Sequence, residues 1–224
     1  MRSLSVVALE DPWVRWDWVS GHVDDITLRL QEHIVLTGLT MAIGLVIALP
    51  LGIACYRFGR LYPAVLAVAG VIYSIPSLAL FAFLIPYTGL SRATTLIPLV
   101  SYTLLILVRN VVAGFQGVSP EIVESAEGMG YSETGVLFRV QLPLALPAVM
   151  AGIRITAVTT IGLVTIASLI GEGGLGRFIV DGINRDFKTP LVVGTVLAVG
   201  LAVVVDTTLA LTERVLSPWS RKRT

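Results

Sequence analysis

Five apolar blocks, each about twenty residues long or slightly more, leave this chain few ways to fold. They run approximately over 34–55, 63–86, 94–115, 148–170 and 191–211. A helix needs about 20 residues to cross the roughly 30 Å hydrocarbon core of a bilayer, and every block is long enough. Membrane-spanning strands are about 10 residues long and alternate in polarity, which none of these blocks does. The expected fold class is an all-α integral membrane protein with about five spans. Composition agrees. Of 224 residues, 55% are hydrophobic and 14% charged, barely half of the roughly 25% charged residues of soluble domains. With about half of the chain in spans, no room remains for a catalytic domain.

The polar remainder is small and informative. A net charge of +1 gives no sign of a nucleic-acid partner. Cys55 is the only cysteine, so no intrachain disulfide can form. Leu4 to Leu9 is too short for a signal-peptide core, and Glu10 and Asp11 follow it at once. Trp13, Trp16 and Trp18 read as residues of a membrane interface, leading into a helix near Asp25. This divides the chain into an interfacial segment 1–32, a transmembrane domain 33–213 and a basic tail 214–224. His22 and His33 lack metal-ligand spacing and are read as interfacial, so no metal is expected. No G-x-x-x-x-G-K-[ST] phosphate loop is present. No catalytic residue and no enzyme activity are therefore expected.

Within the spans, Gly44, Ala48 and Gly52 place small residues every fourth position, as do Gly194, Ala198 and Ala202. Such stripes let helix backbones approach closely. Pro50, Pro76 and Pro98 free backbone carbonyls that neighbouring helices or cavity water must satisfy. A packed bundle follows from these features together. Arg154 and Asp206 are the ionisable residues at bilayer depth. Charges there are costly and pair, line a cavity or snorkel to the interface. Both fall at similar depth on antiparallel spans, and an Arg154–Asp206 contact between the fourth and fifth spans is expected. Tyr73, Phe81, Phe83, Tyr87 and Tyr102 offer aromatic faces, of which Tyr73 and Tyr102 are candidates to line a path; packing is the plainer reading of all five.

The connection 116–147 carries most of the chemistry. Ser119 reads as an N-cap, Pro120 as the first helical residue and Glu121 as a favourable charge near the helix start. Gly128 or Gly130 can end this helix in a left-handed conformation. A second short helix is expected from about Ser132 to Gln141, with Pro143 and Pro147 marking the entry to the fourth span. The pair reads equally as a solvated connector or as a docking element for a partner groove.

The residues Glu124-Ser125-Ala126, three more, Gly130, nine more, Val140, one more, then Leu142-Pro143 resemble the EAA motif of ABC importer permeases. Every spacing matches; Ser125 stands for alanine and Val140 for isoleucine. Tyr73 to Leu80 and Leu142 to Arg154 resemble the second span and the fourth-span entry of osmoprotectant permeases. Gly171-Glu172-Gly173-Gly174-Leu175-Gly176 is similar to the glycine-rich G-A-G-G-L-G after that span, with Glu172 for alanine. The resemblance covers the chain from about Leu30. It implies a MetI-like bundle of about five helices, transporting glycine betaine, carnitine, choline or proline betaine.

It also implies partners. The helix bearing Glu124, Ser125, Ala126 and Gly130, with Leu142 and Pro143, docks on a cytoplasmic ABC ATPase that holds ATP and Mg, so this chain needs no cofactor of its own. A solute-binding protein delivers substrate outside, to an end that includes Gly171, Gly173, Gly174 and Gly176. A second permease, identical or paralogous, completes the membrane unit in the lipid bilayer. Counting every Lys and Arg except Arg154 leaves orientation nearly tied, at eight against seven. The resemblance puts 116–147 in the cytoplasm of a bacterial cell, with the N-terminus outside and the C-terminus inside. Another small solute such as methionine, or an ion-coupled secondary transporter, remain the alternatives. The latter lacks both an internal repeat and an acidic relay.

Overall fold

The computed structural model describes residues 12–171 and 173–220. Glu172, the segment Leu4–Leu9 and the terminal Arg221-Lys222-Arg223 lie outside the described residues. Among the described residues every regular element is helical: α1 (Trp16–Gly21), α2 (Val23–Arg57), α3 (Leu61–Ser74), α4 (Ser77–Thr88), α5 (Arg92–Gln116), α6 (Pro120–Gly128), α7 (Glu133–Val136), a π-helical turn (Leu137–Gln141), α8 (Leu142–Ala167), α9 (Gly176–Asn184) and α10 (Lys188–Leu216), with short 3₁₀ turns after α8 and α10. Four continuous helical stretches are long and apolar enough to cross a membrane.

The block 63–86, which brings the spans to five when counted as one, is broken. It is two helices, α3 and α4, bent by 92° at Ile75-Pro76. Pro76 has no N–H to donate, and the residue before a proline is driven out of the helical region; Ile75 sits extended at φ −71° and ψ 130°. The carbonyl of Ile75 accepts a hydrogen bond from the Tyr102 hydroxyl at 2.7 Å. Tyr102 is buried, and Tyr73 meets it edge-on with ring centres 5.7 Å apart. The Tyr102 hydroxyl thus props the break.

The fourth span also differs. The helix expected at Ser132–Gln141 does not stand apart from it. Helical structure is continuous over Glu133–Ile170, 38 residues. Pro143 and Pro147 do not interrupt it. The π turn before Pro143 widens the register, with the Leu142 N–H on the Leu137 carbonyl, so the missing proline donor is absorbed without a break. The boundaries at 32 and 213 likewise fall inside α2 and α10. At 1.5 Å per residue α2 is about 50 Å long, and its excess carries Asp25, Arg29 and Glu32 beyond the apolar stretch.

Helix α5 is the central post. Half of its apolar stretch is buried, against 11% for α10. Gly44 lies on Thr103 and Gly52 on Val111, so α2 and α5 run parallel in close contact. Gly152 abuts Asn110 and Gly114 abuts Ala145 and Ala148, so α8 crosses α5 antiparallel. Lipid is as apolar as leucine, so this close backbone packing, not water exclusion, holds the spans together. The second small-residue stripe behaves differently. Gly194 touches Leu175 and Phe178, but Ala198 and Ala202 line an open groove against Val158 and Gly162.

Candidate functional site

Helix α6 is built by local rules and leaves one side bare. Pro120 occupies the first turn as expected. Ser119 does not cap with its side chain; its carbonyl accepts the Ile122 N–H at 3.1 Å, and its hydroxyl donates to the Glu121 carboxylate. That bond holds Glu121 below its ordinary value of 4.5. At the other end Gly130 takes φ +85°. The Tyr131 N–H reaches the Ala126 carbonyl at 3.2 Å and the Gly130 N–H reaches Glu127 at 2.9 Å, the paired bonds of a Schellman stop. Ser125 turns its hydroxyl onto the Glu121 carbonyl at 2.6 Å, so the serine adds no unpartnered polar group.

Ala126 is buried toward the bundle, whereas Glu124, Ser125 and Gly130 are exposed, with Met129 71% exposed beside them. An open cleft of about 550 Å³ flanks the helix, lined by Met129, Tyr131, Phe138 and Arg139. Leu142 packs among Val111, Phe115 and Val149, and Pro143 opens α8. Struts from α2 hold this end: Arg57 pairs with Glu133, and Gln141 donates to the Tyr56 hydroxyl at 2.8 Å. Sequence reasoning missed these four. Gln141, polar amid an apolar run, was the available signal. Ser132 caps α7 by accepting the Gly135 N–H at 3.2 Å.

The opposite end is built by long-range contacts. The glycine-rich segment folds back onto α2 and α8. Gly174, at φ +93°, donates its N–H to the Glu32 carboxylate at 2.9 Å. His33 is fully buried and bonded at both ring nitrogens, to the Ile161 carbonyl at 3.1 Å and the Leu175 N–H at 3.3 Å. Its interfacial reading is thus corrected. A side chain on Gly173 would fall on Glu32, and one on Gly176 on the Thr165 carbonyl. Gly171 closes the turn after α8. Beyond it, Trp18 of α1 packs edge-on against Phe178 and Phe187, and the Arg15 N–H bonds Thr189 at 3.0 Å.

Between the two ends, Arg154 of α8 makes a two-point contact with Asp206 of α10, at 2.9 and 3.1 Å, and reaches Glu213 at 3.4 Å. Glu213 was not foreseen, although seven residues past Asp206 is two helical turns on the same face. Among the described residues no cluster of His, Cys, Asp and Glu has the form of a metal site.

The molecule is thus a polytopic helical bundle with an exposed, locally capped helix at one end. The chain belongs to the family of binding-protein-dependent transport system inner membrane components, whose pattern matches residues 35–217. It is 34% identical over 194 residues to the glycine betaine/carnitine/choline transport system permease protein OpuCB of Bacillus subtilis, covering 87% of this chain and 89% of that protein. It is 35% identical over 199 residues to the B. subtilis choline transport system permease protein OpuBB, covering 89% and 92%. It is 32% identical over 204 residues to the osmoprotectant import permease protein OsmW of Salmonella typhimurium, covering 89% and 94%. Its fold matches a chain of the MetNI methionine ABC transporter in an inward-facing conformation, with a TM-score of 0.77, 24% identity, and 85% and 96% of the two chains covered.

Proposed function

We propose that this chain forms the translocation path of an ATP-driven importer for compatible solutes of the glycine betaine, carnitine and choline class. The observation that carries the importer reading is α6. Its backbone is closed off internally at its C-terminal stop, its inner face is seated by Ala126, and its outer face and the adjoining cleft present Glu124, Ser125, Met129 and Tyr131 uncovered. Such a helix suits insertion into a groove of a partner. The partner is a cytoplasmic ABC ATPase that binds ATP and Mg, and closure of its subunits pushes on Glu124 to Gly130. The glycine-rich end then faces outward, toward a solute-binding protein, with the N-terminus outside and the C-terminus in the cytoplasm of a bacterial inner membrane. A second permease copy or a paralogue covers much of the exposed flank of α10. The solute class rests on the named activities of the relatives.

The test is uptake of labelled choline, glycine betaine, carnitine and methionine in cells lacking their own osmoprotectant importers, with this chain co-expressed with its ATPase and binding protein. ATP-dependent uptake of the quaternary amines is expected, and Gly130→Trp abolishes it while the protein still inserts. Methionine uptake alone overturns the solute class. Uptake that persists without the ATPase overturns the importer reading.

A further inference from the structure

Two adjacent residues of α2 make three hydrogen bonds to elements far along the chain. Glu32 accepts the Gly174 N–H at 2.9 Å. His33 accepts the Leu175 N–H at Nδ1, 3.3 Å. A nitrogen that accepts carries no proton, so the ring proton sits on Nε2 and is donated to the Ile161 carbonyl at 3.1 Å. Both nitrogens of this buried ring are thus committed, one to α8 and one to the glycine-rich segment. Glu32 is steadied from its own helix by Arg29 at 2.9 Å, which also holds Asp25 at 3.2 Å.

The glycine-rich segment is seated closely: a side chain on Gly176 would meet the Thr165 backbone, and one on Gly173 would displace the Glu32 carboxylate. On its far side the segment belongs to another body. Leu175 and Phe178 pack on Gly194, and Gly182 packs on Leu191, joining α9 to α10. Helix α2 itself makes little direct contact with α9 or α10. Apart from the contacts of Trp18 and the Arg15–Thr189 bond that precede α2, and the packing of α9 and α10 on α8, the direct joint between α2 and this body is the polar one at Glu32 and His33. Hydrogen bonds of this kind can be exchanged for water, so the joint opens at modest net cost.

We propose that Glu32 and His33 are positioning residues that clasp residues 173–175 across this end of the bundle, and that the clasp opens when α2 parts from the α9–α10 body during transport. The clasp rests on geometry alone; its place in the transport cycle rests on the importer reading above.

The two bonds of His33 can be separated. In His33→Asn the side-chain oxygen stands near the place of Nδ1 and keeps the Leu175 N–H. In His33→Gln the amide nitrogen stands near the place of Nε2 and keeps Ile161. Site-resolved hydrogen exchange on the full chain in lipid nanodiscs is expected to show the Leu175 amide about tenfold faster in His33→Gln and near wild type in His33→Asn. Glu32→Ala speeds the Gly174 amide by a similar factor, and Glu32→Gln, which keeps an acceptor, does not. Equal protection in all four variants overturns the clasp, as does equal loss in the Asn and Gln pair.

For the transport role, uptake by the complete importer in proteoliposomes is measured against binding-protein concentration. A weakened clasp lowers the half-saturating concentration, by at most the factor gained in exchange, because it favours the state open at this end. A purely structural defect lowers only the maximal rate, and that outcome overturns the gating role. Wild-type chain that drives no uptake overturns the importer reading, while the exchange result still decides the clasp.

Discussion

The two ends of this bundle are fastened in opposite ways. At the Glu124 end, α6 is closed by bonds that span at most five residues, from Ser119 to Val123 and from Ala126 to Tyr131. At the glycine-rich end, the segment 173–175 is held by Glu32 and His33 from 142 residues away. A locally capped helix keeps its shape when its neighbours move, which is what a docking element needs. A segment whose amides are held by distant partners changes its surroundings whenever those partners move, which is what a gate needs. Substitutions can break or sharpen that contrast.

The largest effect is expected at the glycine-rich end. Gly176→Val places its side chain on the Thr165 carbonyl and Ser168. Overpacking against backbone costs about 3 kcal/mol, read as a lowered thermal midpoint in detergent. An unchanged midpoint would mean the segment is not seated as described. Next is Arg154→Ala, which leaves Asp206 and Glu213 without their shared cation. With Arg154 33% and Asp206 39% exposed, solvent screens the contact, and a drop in the thermal midpoint smaller than that of Gly176→Val is expected. The double swap of Arg154→Asp with Asp206→Arg recovers only part of it, because the carboxylate brought to α8 would then face Glu213.

At the other end Gly130→Ala meets no atom within 4 Å, so backbone strain at φ +85° is its whole cost. About 1 kcal/mol follows, confined to the end of α6. Uptake falls while the global melting midpoint stays; a matching fall in the midpoint would show that α6 is not independent. The smallest effect is on pH. Glu121 titrates below 4.5 because Ser119 donates to its carboxylate. A depressed carboxylate stabilises the fold above its ordinary value and loses that contribution as pH falls through its lowered one. Faster exchange at the Ile122 amide below pH 4.5 is expected in wild type and absent in Ser119→Ala.

How much was legible in advance follows from the range of the interactions. The spans were legible because bilayer thickness imposes a length that the chain must meet. The stop of α6 at Gly130 was legible because a Schellman turn lies within six residues. The Arg154–Asp206 contact was legible because depth in a bilayer can be counted along a helix. Pro76 was visible as a weak point, but not the 92° bend, nor the partner that satisfies it, Tyr102, reaching back 27 residues to the Ile75 carbonyl. Nothing near His33 distinguished a buried, doubly bonded ring from a side chain at the interface.

The sequence by itself determined that this protein is a membrane bundle with a short, locally capped helix between two spans, since span length, helix stops and motif spacing are short-range properties. Only the tertiary structure decided which span breaks, which helix stands at the centre, and that Glu32 and His33 meet the glycine-rich segment. Those outcomes depend on backbone carbonyls and amides finding partners far along the chain, which no short stretch of sequence displays.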